Sequence, residues 1–416
     1  MEELWSSQCT FYGLGDFYTG FVGIRFKFDS VIDKNVMQKA LDTTITRYPY
    51  FRVKMVRVGE EIALEKNSEP MLLYDDPDDP SLSNNRNLGH LLRVSAKGQW
   101  LNICFCHALT DGRGIMPFVK TLFHYYWQTI DGTDIGIVGV HLAGEEIPES
   151  ETNDPVVDFS GVEPPKNQGQ PPIEPFRLPV EKDASCALHI HCFSIGTKPF
   201  MKFSHDVDGS PNAIVAMLMS RAIRSIHPQA DNIVAGVAVD HRRAIGCESY
   251  HCRVGLLPIR YQPKMDDMDI SKCATCYRGI IILQSDDDVI KRKAAASQQF
   301  SYYLKSLKTM AEKRAVSQMA IEQGAGGVTF SVSYTGQQDF GGVDRHIVSA
   351  DVETETLNMH MAIEILCFGE KFHISVSQDF ADDVYIRKLI EILESEGISC
   401  SDQHEITVPH LSHPEM

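Results

Sequence analysis

Between Ile147 and Lys182 the chain loses every hydrophobic period and becomes polar and proline-punctuated, as in VEPPKNQGQPPIEPFRLP. No helix or strand pattern runs through such a stretch, so it reads as an extended crossover between two domains. On both sides of it, strand-like and helix-like segments alternate. The organisation this predicts is an N-terminal unit over 1–150, a crossover over 151–182 and a C-terminal unit over 183–416. With 416 residues, 43% of them hydrophobic, the chain has material for two cores.

In the first half, Ile24, Phe26 and Phe28 alternate with Arg25 and Lys27, the period of a half-buried strand. Asp33 can cap the helix that follows, whose apolar face is Val36, Met37, Ala40, Leu41, Ile45 and Tyr48, and Pro49 stops it. FRVKMVRV and EIALEK read as paired strands, and LLRVSAKGQWLNICFC as a hairpin turning at Lys97 and Gly98. The second hairpin strand runs into HALTDG, residues 107–112. After it, Ile115, Phe118, Val119, Leu122 and Tyr126 take up the helical period. His107 therefore sits at a strand-to-helix corner.

In the second half, CALHIHCF reads as a strand in which His189, His191 and Cys192 follow ordinary strand patterning. Ser210 and Pro211 open a helix that Pro228 closes. NIVAGVAVD is apolar enough for a strand buried on both faces, and it ends in DHRR, residues 240–243. Asp286, Asp287 and Asp288 head one long polar helix carrying Lys291, Arg292, Lys293, Lys305 and Lys308. VTFSVSY alternates again, a hairpin turns at Gly369 and Glu370, and VYIRKLIEILESEG closes the pattern as an amphipathic helix. The fold class is α/β, in the two-layer α+β sense, with mixed strands and helices in each half.

A net charge of −17 works against generic binding to nucleic acid or to an anionic membrane. MEELWSSQ lacks the basic start and apolar core of a signal peptide, and no apolar run approaches the roughly 18–20 residues of a membrane span. The reading is a soluble, cytoplasmic monomer. Eleven cysteines scattered through both halves suit reduced, buried thiols. Cys273 and Cys276 form a lone CxxC, with Cys247, His251 and Cys252 upstream, but no second pair completes a zinc pattern, so no metal is assigned.

A histidine moves protons near neutral pH, and a strand-end corner can present it to a cleft; the plainer reading is a turn histidine with Gly112 supplying backbone freedom. Motifs for other chemistries, G-x-S-x-G, GK[ST], H-E-x-x-H and G-x-G-x-x-G after a strand, are absent from the sequence.

CHALTDGRG resembles the HxxxDG signature of the CoA-dependent acyltransferase superfamily, which includes chloramphenicol acetyltransferase, the plant BAHD enzymes, alcohol acetyltransferases and nonribosomal condensation domains. The resemblance extends in order through ALDTTITRYPYFRVKM, AVDHRR, SYTGQQDFGG and the final hairpin and helix from Met359 to Glu396. The alcohol acetyltransferase or condensation-like branch is the nearest. Cys106 stands where many condensation domains have a second histidine, and DFGG lacks the tryptophan of the BAHD loop.

The resemblance implies two chloramphenicol acetyltransferase-like subdomains, each a mixed sheet flanked by helices, with a tunnel between them. It implies His107 as general base, Asp111 as a structural brace, and Arg242 as its partner with Arg243 the fallback. For the oxyanion it points to Thr335 or Ser333, either of which reads equally as a plain strand-end hydroxyl. Gly112 would allow close approach to the thioester, or merely make a turn. The implied reaction takes an acyl group from acyl-CoA, a co-substrate rather than a resident cofactor, to a small-molecule alcohol or amine. Two alternatives stand beside it: a stand-alone condensation enzyme using an acyl carrier protein as donor, and a non-catalytic binding member of the fold.

Overall fold

The computed structural model describes residues 2–4, 6–15, 18–79, 81–132, 136, 138–153 and 174–410. Of the expected crossover, 154–173 lies outside them. The residues flanking that stretch are anchored. Glu151, in the short helix Glu149–Thr152, is gripped by the Arg47 guanidinium at 2.9 and 2.8 Å, and Leu178 enters the second core.

Beside a three-stranded antiparallel sheet in the order Glu2–Glu3, Glu61–Lys66, Val53–Val58, two larger mixed sheets organise the described residues. The first has five strands in the order Ile347–Thr354, Phe21–Phe28, Trp100–Cys106, Leu92–Lys97, Leu73–Tyr74. The second has seven, in the order Val254–Tyr261, Ile233–Asp240, Phe330–Gln337, Met361–Phe368, Lys371–Gln378, Leu188–Gly196, Cys400–Val408. Each carries its own core. The second half of the chain lends Ile347–Thr354 to the first sheet, where it pairs antiparallel with Phe21–Phe28. That loan ties the sheets together, because Val352 N on the lent strand donates to Ser375 Oγ on the second sheet at 2.9 Å.

Local chemistry accounts for the elements around the site. Asp33 caps Lys34–Arg47 through two backbone N–H groups, and Met37, Ala40, Leu41 and Ile45 are its buried face. Gly98, at φ +62°, makes the hairpin turn that a side-chain-bearing residue would strain. The helix Gly112–Asp131 is capped by Asp111 and ends at Gly132. Beneath the second sheet, Pro211–Ile226 buries most of its length. No helix among the described residues is long and apolar enough to cross a membrane.

Three features differ from the expectation. Phe21–Phe28 is covered on both faces, because Arg25 is neutralised inside by Asp78 at 2.8 Å and Glu353 at 3.5 Å. The one long polar helix is two, Asp287–Ser306 and Met310–Gly326, with Lys308 in the turn and Thr309 starting the second through a capping box with Glu312. A last strand, Cys400–Val408, follows the final helix at the edge of the second sheet.

Candidate active site

The strand Trp100–Cys106 delivers His107 to a corner that then enters the helix Gly112–Asp131. The corner is held by backbone bonds, one from His107 N to Gly20 O on the neighbouring strand's approach at 2.6 Å and one local, from Leu109 N to Cys106 O at 2.9 Å. From the far half of the chain, Tyr250 O accepts from Thr110 Oγ1 at 2.7 Å.

Asp111 uses both carboxylate oxygens. Oδ1 accepts from Gly114 N at 2.8 Å, capping the helix, and from Arg242 Nη2 at 3.0 Å; Oδ2 accepts from Arg253 N at 2.7 Å. Arg242 is as fully engaged, donating from Nε to Ser249 O, from Nη2 to His251 O and from Nη1 to Asp240 Oδ1. Both side chains are about 95% buried, at 4% and 5% exposure. Arg243 instead points outward, to Asp287 at 3.0 Å.

A cavity of about 850 Å³ lies between the two sheets, lined by His107, Gly112, Tyr50, Tyr250, Thr335 and Glu364 among others. Gly112 and Gly114 let the helix start press against the facing half. A Cβ on Gly112 would meet Thr335 Cγ2 at 2.9 Å, and one on Gly114 would meet Tyr250 O at 2.1 Å. Gly112 has no positive φ, so crowding rather than turn geometry accounts for it. Thr335 Oγ1 is buried without a hydrogen-bond partner among the described residues. Ser333, two residues earlier on the strand Phe330–Gln337, has its hydroxyl on the Glu364 carboxyl.

Two residues of the site were not singled out for it by sequence. Cys252 Sγ lies 3.4 Å from His107 Nδ1. Burial favours the neutral imidazole, but the Cys252 sulfur hydrogen-bonded at Nδ1 and the Asp111 carboxylate outweigh it and push His107 up to about 10. Glu364, on the strand Met361–Phe368, is pushed up by burial to about 7, with the Ser333 hydroxyl and His107 pulling the other way. A lone acid inside the apolar run MAIEILCF was its sequence signal. Nothing local marked Cys252, whose neighbours Cys247 and His251 suggested only a zinc pattern. Of the CxxC pair, Cys273 is buried in the second core and Cys276 is exposed.

The chain matches no protein-family model and no curated protein by sequence. Its fold does have counterparts among solved structures. Polyketide synthase associated protein 5 from Mycobacterium tuberculosis superposes with a TM-score of 0.60 at 13% identity, over 94% of this chain and 96% of that one. TRI101 from F. graminearum, complexed with coenzyme A and deoxynivalenol, gives 0.60 at 12% identity over 94% and 98%. The condensation domain of the monacolin K polyketide synthase MokA gives 0.57 at 11% over 94% and 95%. This chain has the fold of the CoA-dependent acyltransferases and condensation domains. That fold is two mixed-sheet subdomains facing one another, and the cavity at His107 opens between its two sheets.

Proposed function

We propose that the protein is an acyltransferase that moves an acyl group from a CoA thioester to the hydroxyl or amine of a small molecule, with His107 as general base. The observation that carries this reading is a single cavity wall that brings together His107, Gly112 and the unpartnered hydroxyl of Thr335. That TRI101 was crystallised with coenzyme A and a small-molecule acceptor supports the same substrate classes here.

In this reading Cys252 occupies Nδ1 and Nε2 is the working nitrogen. In the neutral form of His107, whose fraction grows as pH rises toward about 10, Nε2 takes the proton from the acceptor O–H or N–H as that atom attacks the thioester carbonyl. The carbonyl oxygen becomes an oxyanion, and Thr335 Oγ1, which has no other partner to give up among the described residues, donates to it. Collapse breaks the C–S bond, and Nε2 returns its proton to the CoA thiolate. The products are an ester or amide and free CoA. Ser333 is the weaker candidate for the oxyanion because Glu364 already engages its hydroxyl. Asp111 does no proton transfer: with Arg242 it holds the corner in place, and Gly112 lets the helix start lie against Thr335.

We take 1–150 and 183–416 as the two subdomains and 151–182 as the crossover, with Ile347–Thr354 lent back to the first sheet. No resident cofactor or metal enters the reaction. A net charge of −17 favours diffusible substrates over nucleic acid or membrane, and we read the protein as a cytoplasmic monomer.

The test is release of free thiol from a panel of acyl-CoAs with mixed alcohol and amine acceptors, by wild type and His107→Ala. Acceptor-dependent release abolished by the substitution is expected. Folded wild type that releases thiol only from carrier-bound donors would move the reading to a condensation enzyme, and release from neither to a binding protein.

A further inference from the structure

At the start of the strand Leu188–Gly196, outside the lining of the cavity at His107, the segment DASCALH folds so that Asp183, Cys186 and His189 converge. His189 Nε2 lies 2.9 Å from Asp183 Oδ2 and 3.3 Å from Cys186 Sγ, and all three ligand-type atoms fall within 4.8 Å of one another. A tetrahedral ion about 2.0–2.3 Å from its ligands holds them roughly 3.3–3.8 Å apart, and the 2.9 and 3.3 Å separations at His189 Nε2 lie within a few tenths of an ångström of that range.

A second observation lies outside the three. His189 Nδ1 is 2.7 Å from Glu405 Oε1, on the neighbouring strand Cys400–Val408. A carboxylate at one ring nitrogen, with the other nitrogen facing thiol and carboxylate ligands, is the arrangement that orients a metal-binding histidine. We propose that Asp183, Cys186 and His189 form a site for a zinc-class divalent cation, oriented by Glu405. A thiolate, an imidazole and a carboxylate suit a borderline-soft ion, and three protein ligands leave a fourth position for water. Two anionic ligands balance the dication.

The alternative occupant of the same geometry is a proton. Burial works against a charged His189, but the hydrogen bonds of Glu405 and Asp183 outweigh it and raise the ring. Metal entry therefore expels the proton on Nε2 and the thiol proton of Cys186 to solvent, leaving Nδ1–H on Glu405. The role of such a site is structural. Asp183 N also donates to Asp379 O at 2.8 Å and Ala187 N to Val408 O at 2.9 Å, so the ion would pin the chain to the sheet edge as it enters the second subdomain.

A second cluster, Cys192, Asp351 and His404, supplies an internal control. Cys192 and Asp351 are 3% and 2% exposed there, leaving His404 as the one member that solvent reaches, whereas Asp183 and His189 keep side-chain exposures of 22% and 12% beside the buried Cys186.

The full chain, stripped with chelator, is titrated with Co²⁺ and then Zn²⁺. One equivalent of Co²⁺ with a thiolate-to-cobalt charge-transfer band is expected, displaced by Zn²⁺ and accompanied by a rise in melting temperature. Cys186→Ser and Asp183→Asn should each remove the band, with circular dichroism showing that they fold; Glu405→Gln should weaken affinity about 10- to 100-fold. Cys192→Ser should bind as wild type. No band in folded wild type, a band retained in Cys186→Ser, or one lost only in Cys192→Ser would overturn the assignment.

Discussion

Arg242 Nη2 meets Asp111 Oδ1 at 3.0 Å across 131 positions of sequence, inside the protein. The pair joins the corner that carries His107 to the loop behind the strand Ile233–Asp240, so the two halves of the cavity share one brace. The same carboxylate caps the helix Gly112–Asp131 and accepts from Arg253 N, which makes it a three-way junction.

Removing one partner strands a buried charge. Arg242→Ala should cost about 3–5 kcal/mol of stability. The double variant Asp111→Ala/Arg242→Ala should cost less than the sum of the two single changes, because no unpaired charge remains. Urea unfolding of the three variants measures the coupling. Additive costs would show the pair to be energetically idle.

Thr335 offers a separation of stability from activity. Its buried hydroxyl has no partner to lose among the described residues, so Thr335→Val should leave stability unchanged or slightly higher. If Oγ1 serves the oxyanion, kcat should fall about 100- to 1000-fold with little change in KM. Gly112→Ala should also slow the enzyme, since its Cβ would meet Thr335 Cγ2 at 2.9 Å. Thr335→Ser removes that methyl and keeps the hydroxyl, so it should restore activity in the Gly112→Ala background. Steady-state kinetics of the four proteins decide it.

How far the sequence reaches depends on whether a contact leaves a local trace. His107, Asp111 and Gly112 stand together in one motif, and DHRR offers two arginines at a strand end, so the structure had only to choose between Arg242, turned inward, and Arg243, turned to Asp287. Cys252 left no trace because its contact with His107 spans 145 positions and depends on the loop after Asp240 folding back. The strand Cys400–Val408 escaped because an edge strand exposed along most of its length shows no apolar alternation. Helix Met310–Gly326 escaped likewise, burying Lys313 and Ser317 where a periodic apolar face would stand.

Cys252 should be visible in the pH profile. A general base works only when unprotonated, so the rate climbs as pH rises through the pKa of His107. The Cys252 sulfur at Nδ1 helps lift that pKa to about 10. Cys252→Ala removes that part of the lift and leaves burial, which favours the neutral ring, opposed by Asp111. The acid limb of kcat/KM should therefore move to lower pH. An unmoved limb would separate Cys252 from the base.

Glu364 makes the opposite kind of contribution, to stability. Burial raises it from 4.5 to about 7. A carboxyl raised in the folded state stabilises while it is protonated: the contribution is complete below about pH 4.5 and is lost as pH rises through about 7. Glutamine mimics the protonated form. Glu364→Gln should thus melt with wild type at pH 4.5 and above it at pH 8, by up to roughly 3 kcal/mol, less where cavity water reaches the carboxylate. Thermal unfolding at the two pH values tests the sign. A wild type that is the more stable protein at pH 8 would mean that the ionised carboxylate is held by a cationic neighbour, and the cavity wall opposite His107 would then be a salt bridge rather than a buried acid.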